Sequence, residues 1–202
     1  MKILQVGASG TVGRAVSAAL RERKHDVIEA HRGSAEYPVD ITDPESIRAL
    51  VDAVGEVDAV DAVVSTAGTT PYGPWDDLDR TAWQAGLNSK LLGQVELVRQ
   101  ATRIVRTGGS FTLISGILAR EPIRTGSIAA AVNGALEAWV VASAGELWGR
   151  FRINTVSPTV LTESAEKYAD AFPGYPTVDG AVVGQTYVRS VESMETGQVY
   201  RI

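Results

Sequence analysis

The stretch KILQVGASGTVGRAVSAAL, residues 2–20, constrains this chain more than any other. Lys2 to Val6 is a short apolar run of strand type. Gly7, Gly10 and Gly13 follow, and Val12, Ala15, Val16, Ala19 and Leu20 recur at helical spacing. A strand that turns through glycines into a helix is the context in which such a loop holds a phosphate. The glycines allow a tight turn and close backbone approach, and free N–H groups at the helix start attract a pyrophosphate. Thr11 and Val12 present those N–H groups, and Ser9 adds a hydroxyl. A plain strand-to-helix turn is the competing reading of a glycine motif taken alone.

The alternation continues along the chain. Val27–Ala30 reads as a second strand and Tyr37–Val39 as a weak third. DPESIRALVDAV is helical, with Pro44 near its first turn. Ala59–Val64 is a strand ending in STAG. Asp79–Arg106 forms one helical pattern, closed by TGG as a C-terminal stop. Ser110–Ile114 and Arg152–Val156 read as strands around the apolar helix Ser127–Trp148. Glu163–Tyr175 is a polar excursion, Asp179–Val188 a short helix and TGQVYRI a last strand. Strands alternating with helices predict an α/β fold. The expectation is a single domain over residues 1–202, of Rossmann type: a doubly wound, mostly parallel sheet with helices on both faces. Ligands then bind at the C-terminal ends of the strands.

Bulk properties remove several alternatives. The 202 residues carry a net charge of −5, which gives no basic footprint for nucleic acid. The chain has no cysteine, so disulfides and thiolate metal sites are excluded. His25 and His31 are its only histidines, with no carboxylate cluster at ligand spacing, so no metal is expected. The apolar run Ile128–Gly145 contains Asn133 and Glu137 and reads as a core or interface helix, not a membrane span. No targeting segment is visible, and a cytoplasmic location is expected.

The second strand ends in His31-Arg32. A cation there suits a 2′-phosphate better than a free ribose hydroxyl, which favours NADP over NAD. Glu29 is the competing acid, but it lies inside the strand. Arg32 also reads as a solvated loop arginine.

Six segments, in order, make the chain similar to the short-chain dehydrogenases/reductases: GASGTVG, VDITD, VSTAG, GLNSKLLGQ, GGSFTLISG and NTVSPTVLTES. The resemblance implies that Asp40 and Ile41 touch the adenine and that Thr66, Ala67 and Gly68 lie beside the cofactor. It implies Asn88 as the active-site asparagine, and Pro158, Val160 and Thr162 along the nicotinamide. It also implies a homodimer or homotetramer built through the two long helices.

The departures fall on the chemistry. The family's tyrosine, its proton donor, aligns with Ala129, and the lysine four residues later aligns with Asn133. Losing a positioned general acid costs roughly 10²–10⁴ in rate. Asparagine can still hydrogen-bond a ribose but carries no charge. The family's serine falls on Gly116, with Ser115 one residue earlier. On α-helical geometry Lys90, two residues after Asn88, faces elsewhere. Tyr72, Tyr168, Tyr175, Arg120, Glu121 and Arg124 are either substrate contacts or surface groups. Two readings follow: an NADP(H)-dependent oxidoreductase acting on a small carbonyl or alcohol, or an NADP(H)-binding sensor or partner protein without turnover.

Overall fold

In the computed structural model, which describes residues 1–202, the chain starts with strand β1 (Lys2–Val6). Its side chains alternate between two apolar layers, Leu4 and Val6 on one face and Ile3 on the other. Helix α1 (Thr11–Glu22) follows the glycine turn and buries Val16, Ala19 and Leu20. After β2 (Asp26–Ala30), helix α2 (Pro44–Val57) starts where the Asp43 side chain accepts the Glu45 N–H, with proline in the first turn. Strand β3 (Val60–Ser65) leads to a helical rod of three parts: α3 (Arg80–Gly86), a π-helical turn (Leu87–Leu92) and α4 (Gly93–Ala101).

Strand β4 (Val105–Ile114), helix α5 (Ser127–Glu146) and strand β5 (Arg152–Ser157) complete the central unit. The short parallel strands β6 (Val160–Leu161) and β7 (Thr177–Val178) flank an excursion that carries α6 (Ala165–Tyr168). Helix α7 (Gly180–Glu192) and strand β8 (Val199–Arg201) close the fold.

The main sheet is wholly parallel, in the order β2-β1-β3-β4-β5-β8. Its winding reverses between β1 and β3, which opens the crevice where such sheets bind ligands. On one face Leu97, Leu136 and Val140 of α4 and α5 pack with Ile47 and Val51 of α2 over Leu4, Phe111 and Ile153. On the other, Leu20 of α1 and Val183 and Tyr187 of α7 cover Ile3, Val64 and Val156. Each buried aliphatic or aromatic side chain contributes about 1.5–3 kcal/mol. A Cβ on Gly184 would lie 2.8 Å from the Ala15 carbonyl oxygen, so the α1–α7 contact needs glycine there. Helix α5 is long and apolar enough to cross a membrane, but 50% of its most apolar window is buried within the fold.

Two expectations about elements are corrected. Tyr37–Val39 pairs with no strand: Val39 inserts its side chain into the core, and its N–H reaches only the His31 carbonyl, at 3.3 Å. The helix expected to run to Arg106 ends at Ala101, and strand β4 has begun by Val105. TGG is not a helix stop. Val60 pairs with Val105 but Ala62 with Ser110, so β4 bulges between them, with Gly108 at φ +87°. Arg106 ties the bulge to Asp58 and Asp61, each at 2.9 Å.

Candidate active site

The glycine loop is built from inside the sheet. Buried Gln5 donates to the Gly13 carbonyl at 2.7 Å and accepts from Ser17 at 2.9 Å, which fixes the first turn of α1. A Cβ on Gly13 would lie 2.2 Å from the Gly7 carbonyl oxygen, and Gly7 itself has φ +91°. Both positions therefore need glycine. Thr66 donates its hydroxyl to Gly7 O at 3.0 Å and joins the loop to the end of β3. The first turn of α1 has no acidic residue and no side-chain cap, so its N–H groups are free for an anion.

A cleft of about 620 Å³ opens over the C-terminal strand ends. Among the residues expected to bind cofactor, Gly10, Thr11, Val12, Thr66, Gly68, Asn133, Pro158 and Val160 line it, as does Ser115. Gly7 and Gly13 belong to the loop but do not line the cleft. Ile41 is buried in the core. Asp40 accepts from the Thr42 N–H and hydroxyl at 2.9 and 2.7 Å; these bonds and the nearby Arg32 charge hold its carboxyl below the usual range. Ala67 packs against the core, and Thr162 turns outward to Thr177 at 3.2 Å.

A second hollow of about 370 Å³, beside the end of β2, is lined by Ser9, Arg14, Arg21, Glu29 and His31 among others. Arg32 is exposed next to His31. Arg21 pairs with Glu29 at 2.8 Å, so the acid that would compete for a ribose is already engaged. Arg14 and Arg21 are invisible to a motif search, because only folding brings α1 beside the end of β2.

Asn133 sits one helical turn after Ala129 on the cleft side of α5. It is 6% exposed, its side chain makes no hydrogen bond within the chain, and its Oδ1 is buried without a partner. Leaving a buried acceptor unpaired costs about 1–3 kcal/mol, so a native protein keeps one where something else satisfies it. Ala129 offers only a methyl group, 1% exposed.

Ser115 donates to Glu137 Oε1 at 2.9 Å, and Ser157 donates to the same oxygen at 2.7 Å. Arg120 in turn donates to Ser157 at 2.8 Å. Glu137, one turn beyond Asn133, gave no sequence signal beyond being an acid in an apolar helix. Asn88 does not line the cleft; it is exposed, and Lys90 lines the cleft instead. The cause is the π-helical turn, in which the Gly93 N–H donates to Asn88 O five residues back. Facing positions there do not follow α-helical spacing. Lys167 and Tyr168 of α6 and Tyr72 also line the cleft, whereas Tyr175 donates to the Pro122 carbonyl at 2.9 Å, outside it.

Fold and crevice together define an α/β protein of the doubly wound, Rossmann-type class. The family model described as enoyl-(acyl carrier protein) reductase matches residues 10–201. The chain belongs to that family, and its fold is of the short-chain dehydrogenase/reductase type. The crystal structure of the protein lin1944 from Listeria innocua is 40% identical, with a TM-score of 0.95, covering 100% of this chain and 99% of that one. A small-chain dehydrogenase is 25% identical with a TM-score of 0.86, covering 100% and 96%. An uncharacterized oxidoreductase of Methylorubrum extorquens is 27% identical over 78% of this chain; the match spans 65% of that relative's length.

Proposed function

We propose that this chain is an NADP(H)-dependent reductase or dehydrogenase acting on a small carbonyl or alcohol. The observation that carries this reading is the unpartnered Asn133 amide in a cleft roofed by the glycine loop. When bound, NADPH supplies the hydride. The loop and the Thr11 and Val12 N–H groups hold the pyrophosphate, and Asn133 accepts a ribose hydroxyl. Arg14, His31 and Arg32 favour a 2′-phosphate, and the Arg21–Glu29 pair removes the acid that would favour NAD. A small-chain dehydrogenase of the same fold, 24% identical, has been solved in complex with NADPH, so this architecture accommodates that cofactor.

At the substrate end the chain's own groups are few. Ser115 has its proton directed to Glu137 and so offers the cleft lone pairs only. The short β6–β7 excursion makes a modest lid, which suits a small substrate. Calorimetry with NADPH and NADH, followed by NADPH oxidation against a carbonyl panel, tests the proposal. Tighter NADPH than NADH binding with turnover is expected. NADPH binding without turnover points to a sensor instead.

We also propose that the chain pairs with a second copy through its two long helical rods. Leu92 is 51% exposed, Val141 55% and Trp148, just past α5, 77%, which supports a covered helical face. Light scattering at micromolar concentration should give a dimer or tetramer.

A further inference from the structure

The active-site helix has an alanine where the family it resembles carries its proton donor, yet the cleft is not without an acid. Lys90 reaches it from the π-helical turn, which packs beside α5. Its side chain crosses the β3 end, with Cδ 2.9 Å from where a Cβ on Gly68 would stand. Gly68, at φ +114°, thus leaves the space through which Lys90 enters. The ammonium makes no hydrogen bond and no ion pair within the chain.

No carboxylate lines the cleft; its other titratable groups are Tyr72, Lys167 and Tyr168. The elements packed on the π-helical turn bring no counter-charge either. On α5, Glu137 is held by Ser115 and Ser157, and Glu146 is exposed near the helix end. On α4, Glu96 and Arg99 pair at 2.7 Å, and Arg80 of α3 is exposed. A cation that is partly buried, unpaired and in the same cleft as Asn133 and Ser115 suits a site where negative charge develops on a substrate oxygen.

We infer that Lys90 delivers the proton to the substrate oxygen, the role for which position 129 offers only a methyl group. The inference rests on the reductase reading above. As the carbonyl carbon gains hydride from the reduced nicotinamide dinucleotide, the C=O π pair takes a proton from Nζ and becomes the O–H bond. The carbonyl is reduced, the dinucleotide oxidised, and neutral Lys90 regains its proton from water. Burial lowers the Lys90 pKa to about 8, close to the operating range of a general acid.

The test pairs a labelling measurement with kinetics. Competitive acetylation by acetic anhydride, read by mass spectrometry across pH, reports the Lys90 amine in the intact chain with and without NADP⁺. NADPH affinity and NADPH oxidation are measured for wild type, Lys90→Met and Lys90→Arg, against ketones and aldehydes including ethyl acetoacetate and benzaldehyde. Arginine keeps the charge but not a proton that can leave near neutral pH. The amine should titrate near 8, as its burial implies, and NADP⁺ should slow its labelling. Both variants should bind NADPH as wild type does and lose roughly 10²–10⁴ in kcat.

Lys90→Arg turning over at the wild-type rate overturns the assignment and leaves the reductase reading standing. So does a Lys90 that labels like an ordinary surface lysine, and this also decides the matter if wild type binds NADPH but reduces none of the panel. Wild type that fails to bind NADPH overturns both. If Lys90→Met does not fold, Lys90→Arg carries the comparison.

Discussion

Ser115 and Glu137 are joined by a hydrogen bond of 2.9 Å in which the serine is the donor. Ser157 donates to the same carboxylate oxygen, while the other oxygen lies 3.6 Å from Arg201. One acid on α5 thus fixes the ends of β4 and β5, the two strands under the cleft floor. It also points the Ser115 hydrogen away from any substrate.

Removing that acid should destabilise the fold. Glu137→Ala strands two buried serine hydroxyls and is expected to cost about 1–3 kcal/mol in urea denaturation. Glu137→Gln keeps an acceptor and should cost less. Equal losses in the two variants would show that these hydrogen bonds are not what Glu137 contributes.

Asn133→Leu should separate binding from stability. It removes a buried acceptor that lacks a partner, so the free chain should be as stable as wild type or more so. NADPH affinity should fall about tenfold, the equivalent of one hydrogen bond of about 1.4 kcal/mol. A thermal melt and a titration suffice, and undiminished affinity would remove Asn133 from the cofactor site.

Lys90 should leave a mark on the pH dependence of stability. Burial lowers its folded pKa to about 8, below the usual value of about 10.4 in an unfolded chain. Between those values the unfolded chain binds more protons, so this group makes stability rise with pH across that window. Below it the charged, desolvated amine is a penalty. Lys90→Met should therefore melt higher than wild type at neutral pH and lose that rise. Parallel melting curves for the two proteins would contradict it.

Val141→Asp places a charge on the exposed stripe of α5. If that stripe is the pairing face, the variant should scatter light as a monomer at concentrations where wild type does not. Its melting temperature should fall only as far as the lost association requires.

The first strand, the glycine loop and helices α1 and α2 were legible because period and punctuation agree there: alternation in β1, then glycines, then apolar residues at helical spacing. The helix expected to run to Arg106 misled for a physical reason. Leu97, Ala101, Ile104 and Val105 keep helical spacing, yet the last two are buried where the chain turns into a strand, and the following glycines serve a bulge. Val39 sent an apolar signal from a single core contact, not from a strand. The cleft floor was readable through Ser115 and Asn133. Lys90 was not, because one π-helical turn changes which side chains face inward and no periodicity records it. Arg14, Arg21 and Glu137 matter only through neighbours distant in sequence.

Both borders of the main sheet are short. With Tyr37–Val39 left unpaired, one border is β2, only five residues long and carrying Asp26 and Glu29; the other is β8, three residues ending in Arg201. Short, charged borders offer little backbone for another chain to add a strand. Addition of a strand at either border is thereby disfavoured, whichever chain would supply it.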